Sequence, residues 1–427
     1  MPPLIELTIF GTALLILFGS SCKQFYRRSI GLTRWHPVNL LIFAAFATTL
    51  LAIALFLTMP AILPLVPFQW FHWEVHQKLE AGCLAMLVLR HILWQSPGKF
   101  VAAQTVELGR AAQIIRDQEF SGAGLALMGD KCFLFSESRR TFLMYAKHGR
   151  TWIALQDPVG PQDEWAELIT TFIEKAHEHS GRVGFYQVRA DSLPLYLDAG
   201  LTLMKVGEDA HIDLVDFTID GPRKSHLRYA LRRGHRDSLS FDVISPKIVA
   251  AELPILRRIS DAWLTHRKMR EKSFSVAAFD ENFLSSQSAI VVRHAGKPIA
   301  FATFMTTDLG VEVTVGVMRH TPNAPSYTME YLFTQLALHL KDAGVLRMSM
   351  GVAPFSEMGC TPMASSWHCL GRIVWRFGER FYNFKGLRAF KNKFSPKWEP
   401  RYLAASGSTG IFTILMTLAL VTRGKRS

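Results

Sequence analysis

The sequence predicts an α/β protein made of two related domains in tandem behind an N-terminal helical membrane anchor. Three observations predict it. Residues 38–59, VNLLIFAAFATTLLAIALFLTM, pass 22 positions without a charge. From about Ser96 onward, short β-type runs alternate with amphipathic helical segments. That alternation occurs twice, at similar length and rhythm, on either side of a basic stretch near 222–236.

The anchor comes first. A chargeless run of that length crosses a hydrocarbon core of about 30 Å at about 1.5 Å per residue. Residues 3–20, broken only by Glu6, form a second candidate span. No basic segment precedes them, so they do not read as a cleavable leader. Lys23, Arg27, Arg28 and Arg34 separate these spans, whereas no Lys or Arg occurs from Trp35 to Gln77. The positive-inside rule places the first loop in the cytosol and Phe68, Trp70, Phe71 and Trp73 at the outer interface. Leu79–Trp94, which carries Arg90, then returns the chain, or else lies in the interface as an amphipathic helix. The expectation is about three spans within 1–98, with the remainder cytosolic.

Beyond the anchor, strands are expected at Lys131–Phe135 and Thr151–Leu155, and a helix at Glu164–His179. The second series has a helix at 248–268 and strands at Ala289–Arg293, Ile299–Thr306 and Val311–Val317. A helix at Thr328–Ala343 and a strand at Val345–Met350 complete it. The predicted domains are 99–220 and 238–405, joined by a basic helix at 221–237. An apolar helix with a basic tail, 406–427, packs on the preceding domain or lies at the membrane.

Composition narrows the function. The 427 residues carry 48 Lys+Arg against 35 Asp+Glu, a net charge of +13, and are 49% hydrophobic. So much apolar surface, with 30 Phe, excludes a disordered chain. Basic charge joined to apolar excess suits a membrane and an acidic partner, although a basic surface is also simply a well-solvated one. Five irregularly spaced cysteines with no C-x-x-C argue against a disulfide framework or a zinc ribbon. No P-loop, H-E-x-x-H or G-x-S-x-G motif occurs, and Gly122-Ala-Gly124 lacks the spacing of a dinucleotide fingerprint. Cys360, His368 and Cys369 have no further spaced ligands, so neither metal nor cofactor is expected.

What remains is basic and aromatic. In GPRKSHLRYALRRGHRD (221–237), Lys224, Arg228 and Arg232 recur at every fourth position. On a helix they form one stripe suited to tracking phosphates; an exposed linker helix fits the same pattern. In FYNFKGLRAFKNKFSPKWEPRY (381–402), a helix from about Gly386 puts Arg388 and Lys391 on one face and Leu387, Phe390 and Phe394 toward a core. Cations held on a rigid apolar body stabilise an oxyanion or an anionic headgroup. Taken alone, a purely structural basic helix fits as well.

The run FYNFKGLRAFKNKFSPKWEPRYLA resembles the C-terminal signature of the phosphatidylglycerol lysyltransferase (aminoacyl-phosphatidylglycerol synthase) family. TWIALQDPVGP (151–161), the stretch 184–214, ISDAWL (259–264), EKSFS (271–275) and GVAPFS (351–356) agree with it in order. The resemblance spans about 110–405. It implies tandem GNAT-like acyltransferase domains and transfer of an amino acid, lysine foremost, from aminoacyl-tRNA to a glycerol hydroxyl of phosphatidylglycerol. A bacterial cytoplasmic (inner) membrane location, lower membrane negative charge and resistance to cationic antimicrobial peptides follow by implication. Longer members carry a flippase domain, so a short form with a separate flippase is expected.

An aminoacyl ester is already activated, so the reaction needs alignment, oxyanion stabilisation and a proton acceptor. The resemblance implies catalytic roles for Glu357, Arg319, Lys391 and Lys393. Glu312, Lys385, Arg388 and Arg401 are expected to bind substrate, and Lys224, Arg228 and Arg232 to bind tRNA. One departure stands out: Gly316 replaces the Asp that the family carries three residues before Arg319, and Glu312, four residues away on the same strand face, is the nearest substitute. A second is Ser275-Val-Ala in place of SLG. The rival readings are the same chemistry on another lipid or a peptidoglycan precursor, and an inactive module that binds tRNA or acidic lipid.

Overall fold

The computed structural model describes residues 105–354 and 384–422, the side chains at 384, 385, 408, 409 and 412 excepted. The anchor expected within 1–98 lies outside these residues. Among the described residues, no helix is long and apolar enough to cross a membrane.

The first series runs α1 (Thr105–Arg116), β1 (Cys132–Phe135), β2 (Phe142–His148), β3 (Thr151–Val159), α2 (Trp165–Glu178), β4 (Arg182–Arg189), α3 (Leu193–Asp198) and β5 (Thr202–Asp213). The second runs α4 (Ser225–Arg236), β6 (Leu239–Ile244), α5 (Pro246–Arg267), α6 (Glu281–Leu284), β7 (Ser288–His294), β8 (Lys297–Met305), β9 (Glu312–His320), α7 (Thr328–Asp342) and β10 (Arg347–Pro354). After it come α8 (Phe384–Asn392), β11 (Lys397–Ala405) and α9 (Ser408–Val421). The expected strands and helices all occur here with boundaries shifted by a few residues.

Both series follow one plan. An antiparallel meander, β1-β2-β3 or β6-β7-β8-β9, ends in a strand that pairs in parallel with the next, β3 with β4 and β9 with β10. Parallel neighbours need a crossover, and α2 and α7 supply it. β3 is buried at every position but Gln156, as a strand covered on both faces must be. α2 turns Leu168, Ile169, Phe172 and Ala176 inward on one helical stripe, where Phe172 meets Phe185 at 5.3 Å between ring centroids.

The two series share one sheet of eleven strands, in the order β1-β2-β3-β4-β11-β5-β10-β9-β8-β7-β6. β11, the strand that follows the second series, lies between β4 and β5 of the first and is antiparallel to both. Its Leu403, Ala404 and Ala405 are fully buried. One hydrophobic core runs along a whole face of the sheet, covered by the 3₁₀ segment Ser121–Met128, α5, α6 and α9. The opposite face carries two cores, one under α2 and α3, the other under α4, α7 and α8. The apolar C-terminal segment packs on the sheet through Ile411, Ile414 and Leu418 of α9.

Because β11 joins the two series, trimming its core should be felt by the whole sheet. Leu403→Ala is expected to cost about 2–5 kcal/mol, read as a lower denaturation midpoint for one cooperative transition.

Candidate functional site

A cavity of about 290 Å³ opens on the face of the shared core, where β3, β4, β5, β9, β10 and β11 meet. Gly122 and Ala123 of the 3₁₀ segment form one wall, and the end of α5 with residues 269–277 forms the other. Strand alternation explains its polarity. Ala210 and Ile212 of β5 turn to the core beneath α7, so Asp209 and His211 turn the opposite way.

Asp209 is the hub. Arg401 Nη2 donates to its Oδ2 at 2.9 Å and Ser349 Oγ donates to Oδ1 at 3.0 Å. His211 Nε2 lies 3.3 Å from both Asp209 and Glu399, and its Nδ1 lies 3.6 Å from Glu312. Arg347 Nε sits 2.9 Å from Glu312, in ionic contact but off the line of a hydrogen bond. Thr314 donates to Glu312, and Ser121 donates to Thr314. Three carboxylates (Asp209, Glu312, Glu399) thus face two guanidiniums and His211, so protonation of the imidazole makes the cluster neutral.

This balance sets the proton affinities. Burial works against the Asp209 carboxylate, yet His211 and Arg401 hold its pKa well below the usual range. For His211, burial is outweighed by Asp209, Glu312 and Glu399, which raise it. Burial dominates at Glu312 and pushes its carboxyl up, against the pull of His211 and Arg347. A second pair stands nearby: Asp157 accepts from Arg189 at 3.2 Å and from Tyr196 at 2.9 Å, with Arg189 stacked on Phe120 at 3.9 Å.

Lys391 completes the floor. It is only 2% exposed, and its Nζ donates to the carbonyl of Gly351 at 2.6 Å. Burial lowers its pKa to about 8, against the pull of Asp209. Gly351 has φ of 83°, a left-handed value that glycine adopts freely, and it stands in the register break of β10 between Ser349 and Val352. The break aims the Gly351 carbonyl at Lys391 while the Gly351 amide donates to Ser349 Oγ.

The expected site residues divide. Arg319, Glu312, Lys391 and Arg401 all line the cavity. Arg319 pairs with Glu271 at 2.8 Å and stacks on Trp263 at 4.5 Å. Arg388 pairs with Glu208 and stacks on Trp398 at 4.1 Å, while Lys393 pairs with Glu330; neither lines the cavity. Lys224 donates to the Phe394 carbonyl, and Arg228 to those of Ile219 and Gly221, so both tie backbone together, while Arg232 is exposed on α4. Glu357 lies outside the described residues, as do Cys360, His368 and Cys369, and Lys385 belongs to α8 with its side chain outside the description. Among the residues searched, no group of His, Cys, Asp or Glu is arranged to hold a metal.

Two expectations are corrected. Of the pair expected on one face, Lys391 is buried in the cavity floor while Arg388 stacks on Trp398 outside it, and Leu387 lines the cavity instead of the core. Gly316, in turn, is not simply a missing carboxylate. In β9, Gly316 and Val317 together oppose Thr303 of β8, a bulge closed by the bond from Val317 N to Thr303 Oγ1 at 3.0 Å. A Cβ at 316 would fall 2.7 Å from that hydroxyl, so Thr303 occupies the space an Asp needs. Asp209, His211, Ser349, Asp157 and Arg189 were missed. Their signal was polar residues spaced along strands that otherwise read as apolar, EDAHID above all.

Fold and site define an α/β protein with a charged cavity where the two repeated halves of one sheet meet. The chain belongs to the family described as phosphatidylglycerol lysyltransferase, C-terminal, whose model matches residues 112–405. It is 34% identical over 301 residues to phosphatidylglycerol lysyltransferase of Bacillus subtilis, covering 70% of this chain and 34% of that protein. For the Staphylococcus aureus protein of the same name the identity is 32% over 302 residues, covering 70% and 36%. This chain therefore spans about a third of the length of those relatives. Among solved structures, it is similar to the C-terminal domain of a candidate lysylphosphatidylglycerol synthetase from Agrobacterium fabrum, with a TM-score of 0.69, 40% identity, and coverage of 75% of this chain and 98% of that one. L-PGS from Bacillus licheniformis gives a TM-score of 0.65 at 29% identity, covering 77% and 100%.

Gly316→Asp is expected to destabilise the protein by about 1–3 kcal/mol, and Thr303→Ala in the same chain should recover much of that loss in denaturant titrations. Lys391 permits a test by pH. Its folded pKa lies below the ordinary lysine value, so the cost of burying the ammonium is full below about pH 8 and is relieved as pH rises above it. Wild type should therefore gain stability relative to Lys391→Met between about pH 8 and the ordinary lysine pKa of about 10.4.

Proposed function

We propose that this chain is an aminoacyltransferase that moves an amino acid, lysine foremost, from aminoacyl-tRNA to a glycerol hydroxyl of phosphatidylglycerol at the cytosolic face of a membrane. One observation supports it most: in a chain of this family, a fully buried ammonium, Lys391, forms the cavity floor beside the Asp209–Arg401 pair. Enclosing an ammonium is costly, and a preorganised cation aimed at a developing oxyanion is what acyl transfer requires.

In this mechanism the glycerol oxygen attacks the ester carbonyl and a tetrahedral oxyanion forms near Lys391. Glu312, whose pKa burial raises, accepts the hydroxyl proton. Collapse breaks the bond to the terminal ribose of the tRNA, and that oxygen takes the proton back. Asp209 and Arg401 keep Lys391 and the neighbouring backbone in place. No cofactor or metal enters, because the donor ester is already activated. Lower membrane negative charge, and with it resistance to cationic antimicrobial peptides, would be the consequence.

The crowding of Gly316 by Thr303 supports a second reading, in which the transferred group is not lysine or the acceptor is another lipid. Lipid mass spectrometry on cells lacking related enzymes separates these. Expression should produce a phosphatidylglycerol species heavier by one aminoacyl residue, and the mass names both amino acid and headgroup. Lys391→Ala should reduce that product by about 10²–10³-fold. No new lipid from folded wild-type protein would overturn the proposal, and unchanged product from Lys391→Ala would overturn the site.

A further inference from the structure

The cavity mouth combines two features that the chemistry above does not use. The first is cationic. Residues 267–272, Arg-Lys-Met-Arg-Glu-Lys, place four cations at the end of α5, and Arg270 and Lys272 line the cavity. The acid among them, Glu271, is held by Arg319 at 2.8 Å. Arg267, Lys268 and Arg270 are exposed, and Lys272 is half-buried, its pKa lowered to about 8 by burial.

The second is apolar. Val276, also lining the mouth, is 39% exposed. On α9, Met416 and Leu420 are 51% and 48% exposed and stand one helical turn apart on a single face. A hydrogen bond from Ser273 N to Thr422 O, 3.3 Å long, fastens the end of this helix to the basic segment. The segment is rigidly held. Phe274 is buried with φ of 65°, a left-handed value costly for an aromatic residue, and its amide donates to Asp130 at 2.8 Å. Asp130 also pairs with the fully buried Lys131, whose ammonium lies 5.9 Å from the Phe274 ring. This structure keeps a strained loop in one position, so the basic segment and the apolar face of α9 are presented side by side.

We infer that this edge, Arg267–Lys272 with Val276 and the Met416–Leu420 face of α9, docks on an anionic bilayer and admits the lipid, its phosphodiester meeting Arg270 and Lys272 and its acyl chains covering the apolar residues. The inference deepens the proposed function by naming the side from which the lipid acceptor arrives. RNA is less well matched, because exposed Met and Leu beside the cations gain nothing from phosphates, whereas a lipid offers both an anion and a hydrocarbon.

Photo-crosslinking of the full chain tests it without needing turnover. Benzoylphenylalanine replaces Met416 or Leu420, and, as controls, the exposed Leu197 or Leu309. The protein is reconstituted in phosphatidylcholine vesicles with or without phosphatidylglycerol, and adducts are read by mass spectrometry. The expected result is phosphatidylglycerol adducts at 416 and 420 at least fivefold above those at 197 and 309. The double change Arg270→Gln and Lys272→Gln should lower those adducts several-fold, yet leave phosphatidylcholine adducts unchanged. Equal adducts at all four positions, or capture of added aminoacyl-tRNA at 416 and 420, would overturn the inference. Adduct yields indifferent to the double change would overturn the headgroup contact. If adducts form as expected while no aminoacylated lipid is ever made, the docking edge stands and the transfer reaction falls.

Discussion

The placement of β11 between β4 and β5 is the constraint on which the rest of the structure depends. A strand from the end of the chain, antiparallel to both neighbours, closes a gap in the first series and brings Arg401, two residues past the partner of Asp209, within hydrogen-bond reach of that carboxylate. Without Arg401 the Asp209 carboxylate would be a buried charge left with His211 as its cationic partner, a situation that costs several kcal/mol. Pairing of backbone and pairing of charge therefore reinforce each other. The same stretch of chain that leads into β11 carries α8, which delivers Lys391 to the cavity floor and is anchored by its Phe390, and by Phe394 just after it, against Phe333.

The cluster of charges around Asp209 is stable only if they balance. Asp209, Glu312 and Glu399 are met by Arg347, Arg401 and the imidazole of His211, which is charged only when protonated. Its pKa is raised, so its favourable contribution is complete below the ordinary histidine range and fades as pH climbs through the folded value. Lys391 behaves oppositely, since burial without a full counter-charge lowers its pKa. The site thus holds a cation that is ready to lose its proton beside carboxylates that differ widely in their hold on theirs.

Much of the fold was legible in the sequence because periodicity reports burial. Alternating runs and 3.6-residue stripes located α2, α5, α7 and the strands β7 to β10, and the repeated rhythm matches the repeated sheet plan. Part of the site was legible too: Arg319, Glu312, Lys391 and Arg401 converge on one cavity. The basic stripe on α4 shows the limit of such reading. Lys224 and Arg228 had the spacing of a phosphate track, yet both cap carbonyls of neighbouring loops, a use that spacing along one helix does not reveal. Gly316 shows another limit, since whether an absent side chain leaves a void depends on the facing strand, and there Thr303 fills it.

By itself the sequence determined the α/β class, the duplication and the family, because these rest on local pattern and on ordered motifs within 110–405. Only the tertiary structure decided that β11 completes the other half of the sheet, that Asp209 and His211 stand at the centre, and that Lys391 is enclosed while Arg388 and Lys393 are not. Those outcomes depend on pairings between residues nearly two hundred positions apart, such as Asp209 with Arg401. Local periodicity sets which face a residue takes, but the partner on that face is chosen by how the sheet closes.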